Sequence, residues 1–94
     1  MTKLIEQDII NAICMYIAER KQIKPNEVNV QLAWDEEHGF HAEVAAQGRS
    51  QFLIQANMLE AIEYYMLKRF SLRVYTSDIE LDIEDEMVAN IRHE

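Results

Sequence analysis

Carboxylates crowd the segment SDIELDIEDEM, from Ser77 to Met87, and are the side chains most able to do chemistry. Six of its eleven residues are acidic, and four of these alternate with apolar residues: Asp78, Glu80, Asp82 and Glu84. Grouped carboxylates bind Ca²⁺ or Mg²⁺. Alternation predicts a strand, however, in which side chains on one side lie about 6.6 Å apart and splay. The pattern therefore favours a solvated strand face, with a cation site or a landing site for a basic partner as the alternatives.

A second polar segment, DEEHGFHAE, places histidines among carboxylates: Asp35, Glu36, Glu37, His38, His41 and Glu43. Imidazole and carboxylate groups are ligands of zinc and iron. Their spacing fits no ligand motif, and His38 and His41 point differently if one lies in a loop and the other in a strand. We predict a solvated loop and assign no metal ligands.

Cys14 is the only cysteine and therefore the only candidate for a thiol nucleophile. A catalytic thiol needs a stabilised thiolate and a nearby base, whereas Cys14 falls on the apolar side of a predicted helix. The sequence contains no glycine-rich phosphate loop and no nucleotide-binding fingerprint. We therefore predict no catalytic residues, no cofactor and no enzyme activity.

Net charge is −8 and is unevenly distributed. Residues 78–94 carry seven acidic side chains against Arg92, whereas residues 1–77 carry ten acidic and eight basic ones. Nucleic-acid binding needs clustered Lys and Arg, so neither nucleic acid nor an anionic membrane is an expected partner. A lone cysteine excludes an internal disulfide and fits a reducing compartment, and no apolar run reaches the ~20 residues of a membrane span. We predict a cytoplasmic protein.

Apolar periodicity positions the polar segments. Isoleucines four apart predict a helix over 5–18, and Pro25 ends any continuation of it. Alternation predicts strands over 28–34 and 40–46, paired so that Trp34 faces Phe40 and Val30 faces Val44.

The next hairpin turns at AQGR, and its loop length decides which residues are buried. A two-residue loop opposes Val44 with Gln51, whereas a three-residue loop opposes Val44 with Phe52 and buries both Phe52 and Ile54; the second is preferred. A second helix follows over 57–70, with Asn57 as its N-cap and Glu60 completing a capping box.

These elements predict a single small α+β domain over residues 1–94, in the order α-β-β-β-α-β. Two helices cover one face of an antiparallel sheet. The acidic strand 78–84, reached across the second helix, lies parallel to a strand that runs the same way, at the free edge of the first strand. Residues 85–94 are expected to form a short helical or frayed tail. No internal repeat is apparent. The predicted core of the sheet is Trp34, Val30, Val44, Phe52 and Ile54, facing Ile13, Ile17, Ile62 and Met66.

The face of the sheet turned away from the helices holds one formal charge, Glu43, among nine residues. Small and amide side chains allow close approach, and interface cores are depleted of charge. We predict that this face is covered, most simply by a second copy in a two-fold dimer; a bare solvated face and coverage by the C-terminal segment are the alternatives. The candidate interface residues are Gln31, Ala33, His41, Ala45, Gln51, Leu53 and Gln55.

The first five elements share the order of the double-stranded RNA-binding domain, but the position of that family's lysine cluster reads QANMLEAIE here, with two acids and no base. The segments DIINAICMYIAERKQIKP, WDEEHGFHAEV and IELDIEDE resemble instead the YxcD-like family of small uncharacterised proteins from Bacillus and its relatives, a domain of unknown function, over nearly the whole chain. The resemblance implies a cytoplasmic bacterial protein and no known activity.

The function expected from these observations is a non-enzymatic protein–protein interaction module, with homodimerisation through the outer sheet face. The alternative is a small-molecule or divalent-metal binding protein that uses the acidic and histidine residues.

Overall fold

A short strand leads directly into the first helix, and the same junction recurs in the middle of the chain. The computed structural model describes residues 2–92. In chain order the elements are β1 (Thr2–Leu4), α1 (Glu6–Lys21), a 3₁₀ turn (Pro25–Glu27), β2 (Val28–Asp35), β3 (Gly39–Ala46), β4 (Arg49–Ile54), α2 (Gln55–Phe70), a 3₁₀ turn (Thr76–Asp78), β5 (Ile79–Ile83) and β6 (Met87–Ile91). The predicted α+β class is confirmed, with β1 and β6 as additional strands.

Both helices begin at a strand end without a loop. The backbone N–H of Ile5 donates to Asp8 Oδ2 at 3.1 Å, and the N–H of Ile54 donates to Asn57 Oδ1 at 3.2 Å. Asn57 therefore lies in the first turn of α2 and is not its N-cap, so the predicted capping box with Glu60 is wrong. The strand β4 supplies the residue before the helix, which moves the helix start ahead of Asn57.

The first sheet has the strand order β2-β3-β4, and its β2–β3 register is the predicted one: Val30 pairs with Val44 and Trp34 with Phe40. The β3–β4 register differs from the predicted one. Val44 pairs with Gln51, because the hairpin turns through two residues, Gln47 and Gly48, at φ 54° and 73°. Positive φ at both positions defines the type I′ turn, whose twist matches that of paired strands.

This register reverses the predicted faces of β4. Leu53 is buried opposite Ala42, on the face that we call inner because α1 and α2 pack on it. Phe52 and Ile54 point to the outer face and are 47% and 54% exposed. Trp34 is half exposed at the end of β2, so Trp34, Phe52 and Ile54 are wrongly predicted core residues.

The remainder of the predicted core is confirmed. Val44 and the helix residues Ile13, Ile17, Ile62 and Met66 are buried, and Val30 is partly buried against them. The side chains with the least exposure lie between the helices and both sheets: Ile9, Ile13, Met58, Ile62, Met66, Ile91, Val44 and Val74.

A second sheet has the order β1-β6-β5, with all pairs antiparallel. The acidic strand is thus an edge strand, as predicted, but it pairs with β6 and not with the first sheet. Residues 87–91 form a strand, so the predicted helical or frayed tail is wrong there; residues 93 and 94 lie outside the described residues. The reason is burial: β6 is the central strand, and Met87, Val88, Ala89 and Ile91 are all buried.

The two halves of the chain repeat one strand-helix-strand-strand motif, which sequence reasoning missed. The first half is β1-α1-β2-β3 and the second is β4-α2-β5-β6. Each half contributes its hairpin to one sheet and its first strand to the other: β4 pairs with β3, and β1 pairs with β6. The fold is therefore an exchange of first strands between two similar units.

Ladder registers and buried residues follow this repeat, with an offset of 49 positions from β1 to β2 and of 47 positions in β3. The pair Leu4–Ala89 of the second sheet corresponds to Leu53–Ala42 of the first. Four of the five buried residues of α1 have buried counterparts in α2: Ile9 and Met58, Ala12 and Ala61, Ile13 and Ile62, Ile17 and Met66. The counterpart of the fifth, Ala18, is the exposed Leu67. By the same register, the edge strands β2 and β5 occupy equivalent places.

Candidate functional site

The outer face of the first sheet carries two large exposed apolar side chains, Phe52 and Ile54. Antiparallel pairing places Phe52 opposite Glu43 and Ile54 opposite His41 on this face. We call the surface formed by the following residues the outer-face patch: Gln31, Ala33, His41, Ala45, Phe52 and Ile54. Its members are apolar, small, amide or imidazole side chains. The formally charged Glu43 lies on the same face, between His41 and Ala45 of β3.

The structure divides the candidate interface residues between two faces. Gln31, Ala33 and Ala45 are exposed on the outer face, where His41 also lies. Leu53 is buried on the inner face, Gln51 borders a groove beside Tyr16, and Gln55 opens α2. Phe52 and Ile54, which were not among the candidates, lie on the outer face instead. The Gln-Gly pair, which is typical of a two-residue turn, could have predicted their exposure.

The repeat supplies an internal comparison for this patch. The residue of β1 that corresponds to Phe52 is Lys3, which donates to Glu84 Oε1 at 2.5 Å. The outward residues of β5, Glu80 and Asp82, are exposed carboxylates. The second sheet therefore presents charges where the first presents aromatic, amide and small side chains.

At one end of the patch, the β2–β3 loop brings both histidines and an aspartate together. The backbone N–H of His38 donates to Asp35 Oδ1 at 2.6 Å, and His38 Nδ1 lies 3.1 Å from the same oxygen. His41 Nε2 is 3.9 Å from Asp35 Oδ2, and its ring stacks on Phe52 with centroids 5.0 Å apart. The histidines thus converge instead of pointing apart: their rings meet edge to face with centroids 5.5 Å apart, and both contact the ring of Phe52.

Asp35 accepts these hydrogen bonds as a carboxylate, and they set its protonation. The N–H of His38, followed by the His38 imidazole, lowers the pKa of Asp35 below its ordinary value. Since the pKa is lower in the folded chain, the charge stabilises the fold above the ordinary aspartate pKa of about 3.9, and this contribution is lost as the pH falls through the folded value.

Replacing Asp35 with asparagine is expected to lower stability at neutral pH, since the charge is lost while the acceptor oxygen is kept. The difference from the wild type should vanish at acid pH, where Asp35 is protonated. Urea denaturation followed by circular dichroism at several pH values from about 7 to about 2 measures it. Glu36→Gln, an exposed change in the same loop, is the control. A difference of constant size across the range would show that the charge plays no part.

Acidic residues at the β5–β6 turn have partners within the fold. Glu84 pairs with Lys3, and Glu86 Oε2 accepts from the backbone N–H of Glu6 at 2.7 Å. Asp78 Oδ2 accepts from the N–H of Tyr75 at 3.0 Å and closes the second 3₁₀ turn. Throughout residues 2–92, no three His, Cys, Asp or Glu side chains come together in a way that could hold a metal ion.

Cys14 lies beside the edge strand β2 and is partly buried, as predicted for a small residue near the core. Its Sγ donates to the carbonyl oxygen of Val28 at 3.5 Å. Burial raises the pKa of the Cys14 thiol, which disfavours the thiolate that nucleophilic chemistry requires.

Taken with its fold, this surface defines a small α+β domain of two exchanged β-α-β-β units with an exposed, nearly uncharged sheet face. The sequence profile of a family described as "Protein of unknown function (DUF2653)" matches residues 1–86, and the chain belongs to that family. No curated protein and no solved structure matches the chain. Among the described residues, neither helix has the length and apolarity to cross a membrane. Membership of a family of unknown function is as predicted, whereas the YxcD-like name and a Bacillus origin stay predictions.

Proposed function

We propose that this chain is a non-enzymatic protein–protein interaction module, and that a protein partner binds the outer-face patch. The observation that carries the proposal is the exposure of Phe52 and Ile54, each about half open to solvent, on a face whose formal charges are Glu43 and, at its end, Asp35. Aromatic residues are enriched and charged residues depleted in interface cores.

The shape and rigidity of the patch support the same function. Phe52 is held by the His41 ring on one side and by the His38 ring at 5.7 Å on another, so it is already ordered before a partner arrives. A preorganised aromatic side chain loses little conformational entropy on binding. Around it, Gln31, Ala33 and Ala45 are short or uncharged, so Glu43, directly opposite Phe52, is the charge that a partner covering Phe52 has to match.

The proposal places the module in the cytoplasm, where the partly buried, unpaired thiol of Cys14 is stable to oxidation. A second copy of the chain is the simplest partner, and its contacts are considered separately below. The alternative of a metal-binding protein has less support, since Asp35, Glu84 and Glu86 accept hydrogen bonds from nearby groups of the chain itself.

The variant Phe52→Lys tests the outer-face patch, and it gives β4 the residue that β1 carries at the equivalent place. The matched control is Ile83→Lys, which changes a side chain of similar exposure on β5, 48% against 47%. Tagged wild type and both variants are cross-linked in cells, and the captured proteins are quantified by mass spectrometry.

We expect one set of proteins to be captured by the wild type and by Ile83→Lys and to be lost with Phe52→Lys, while thermal unfolding shows that both variants fold. Equal capture by all three chains would overturn the proposed use of the patch. Loss with both variants would show that added positive charge, and not the patch, determines capture.

A further inference from the structure

Each three-stranded sheet has two edge strands, β2 and β4 in the first and β1 and β5 in the second. The equivalent edges β2 and β5 differ in their protection. In the described part of the chain, β2 and β5 each pair with one strand only. Free edges invite pairing with other chains, and proteins block this with charged side chains, prolines or bulges. The strand β5 carries Glu80 and Asp82, whereas β2 has no charged residue and no proline from Val28 to Trp34.

The comparison is internal, since the repeat makes the two edges equivalent. Leu32 pairs with Ala42 as Leu81 pairs with Ala89, and so Gln31 corresponds to Glu80. Gln31 and Ala33 of β2 correspond to Glu80 and Asp82 of β5, and Asn29 corresponds to Asp78, which ends the 3₁₀ turn directly before β5. At equivalent places in one fold, one edge is lined with carboxylates and the other with amide and methyl groups.

The turn after β3 shows which backbone groups of β2 are free. In a two-residue type I′ hairpin the flanking residues Ala46 and Arg49 hydrogen-bond to each other. Because backbone direction alternates along a strand, Ala46 points away from β2, and its neighbour Val28 points away from β3. The contact of Cys14 Sγ with the Val28 carbonyl agrees with this direction. The residues that direct their N–H and C=O groups to the free edge are therefore Val28, Val30, Leu32 and Trp34.

Both sides of this edge are open. One groove, bordered by Ile10 and Gln31, runs toward the outer face, and another, bordered by Ile10, Cys14 and Val28, runs along α1. The half-exposed Trp34 stands at the end of the strand. A second strand can thus reach the edge, and it would cover an aromatic side chain of the type that interface cores favour.

We infer that β2 pairs antiparallel with β2 of a second copy, about a two-fold axis through Gln31, to form one continuous six-stranded sheet. This register places Val30 opposite Leu32 of the partner copy and Val28 opposite Trp34 of the partner copy, apolar against apolar on the inner face. It uses the free N–H and C=O groups of Val30 and Leu32, whereas Val28 already donates to the Pro25 carbonyl and accepts from Cys14. No charged residues oppose each other between Val28 and Trp34, and just beyond them Asp35 lies opposite Glu27 of the partner copy. The inference rests on the proposed function, names one partner, and adds the sheet edge to the outer-face patch.

The decisive variant gives β2 the acidic residues found at the equivalent positions of the second half: Asn29→Asp, Gln31→Glu and Ala33→Asp. All three side chains are exposed on the outer face. Because Gln31→Glu places a carboxylate opposite Glu43 of the same chain, circular dichroism and thermal unfolding check that the fold is kept. In the inferred register every new carboxylate opposes another, at Gln31 its own copy. A control of equal charge replaces exposed residues away from β2: Gln55→Glu, Ala56→Asp and Thr76→Asp.

Sedimentation equilibrium up to high micromolar concentration should give a dimer mass for the wild type and the control. The acidic β2 variant should raise the dissociation constant at least about tenfold. Hydrogen exchange supplies a second readout. The amides of Val30, Leu32 and Trp34 should gain protection as concentration rises, whereas those of Asn29, Gln31 and Ala33, already bonded to β3, should not change.

A wild type that stays monomeric overturns the inference. The inference is also overturned if the acidic β2 variant dimerises as strongly as the wild type, or if the alternating amide protection is missing. Either result would place the dimer interface elsewhere. Neither result tests the outer-face patch as a binding site for a different protein. That proposal is contradicted by equal capture of proteins by the wild type and Phe52→Lys. The two proposals therefore fail separately.

Discussion

Replacing Ile13 with alanine is expected to lower the free energy of unfolding by about 2–5 kcal/mol, and Ile62→Ala by a similar amount. Both side chains are fully buried, at equivalent places in α1 and α2 where the helices pack together. Each truncation removes transfer free energy and leaves a cavity that the neighbouring helix and sheet fill only in part. Urea denaturation followed by circular dichroism measures the change.

The same chemical change at Ile83, which is 48% exposed, is the control. Ile83→Ala should cost less than about 1 kcal/mol, since solvent already reaches much of the side chain. A loss below about 1 kcal/mol at Ile13 would contradict its assignment to the core. A large loss at Ile13 with almost none at Ile62 would contradict the equivalence of the two helices.

Placing proline at Ala89 is expected to cost at least about 3 kcal/mol and to unfold a domain of ordinary marginal stability. Ala89 is fully buried in the central strand β6, between Leu4 of β1 and Leu81 of β5. Proline removes its N–H from the ladder, leaves a buried carbonyl unpaired and introduces a ring where no space exists. The loss of secondary structure by circular dichroism at 25 °C measures it.

Asp85→Pro, in the exposed turn between β5 and β6, is the matched control and should leave the fold intact. If Ala89→Pro folded normally, residues 87–91 could not be a central strand. A helix there would also be sensitive to proline, so the second readout is the amides of Leu4 and Asp82, which bond to β6 and whose exchange should accelerate only if β6 joins their sheet.

Alternation with a consistent partner was enough to predict β2 and β3. Every apolar residue of one strand meets an apolar residue of the other in the register that joins Val30 to Val44, so one face is specified along the whole hairpin. Helix α1 was predictable for the same reason, since its isoleucines recur at the helical period and their burial agrees with it.

The register of β4 was not predictable from burial alone, because turn geometry decided it. Counting buried apolar residues favours a loop that hides Phe52 and Ile54, whereas Gln47 and Gly48 adopt the two positive φ angles of a type I′ turn. The error carried over to the site. The prediction put Phe52 on the inner face and so missed its contact with the histidines, whereas in the actual register Phe52 stacks on His41.

The second sheet escaped prediction because its strands are short and its pairing is distant. The sequence MVANI is apolar without alternation, as expected of a strand buried on both faces but equally of a helix segment. Its partners lie in β1 and β5. The repeat was hidden for a related reason: the buried positions of α1 and α2 agree, while outward ones such as Gln31 and Glu80 differ in charge.

Exchange of first strands makes folding depend on the order in which the chain is synthesised. Lys3 and Glu84, whose side chains meet at the second sheet, are 81 positions apart. At 5–20 residues per second, a ribosome needs about 4–16 s to make the intervening chain. The first sheet, built from β2, β3 and β4, can close during that interval, while β1 waits for β6. Slow codons after β4 would lengthen the time in which β1 has no strand to pair with.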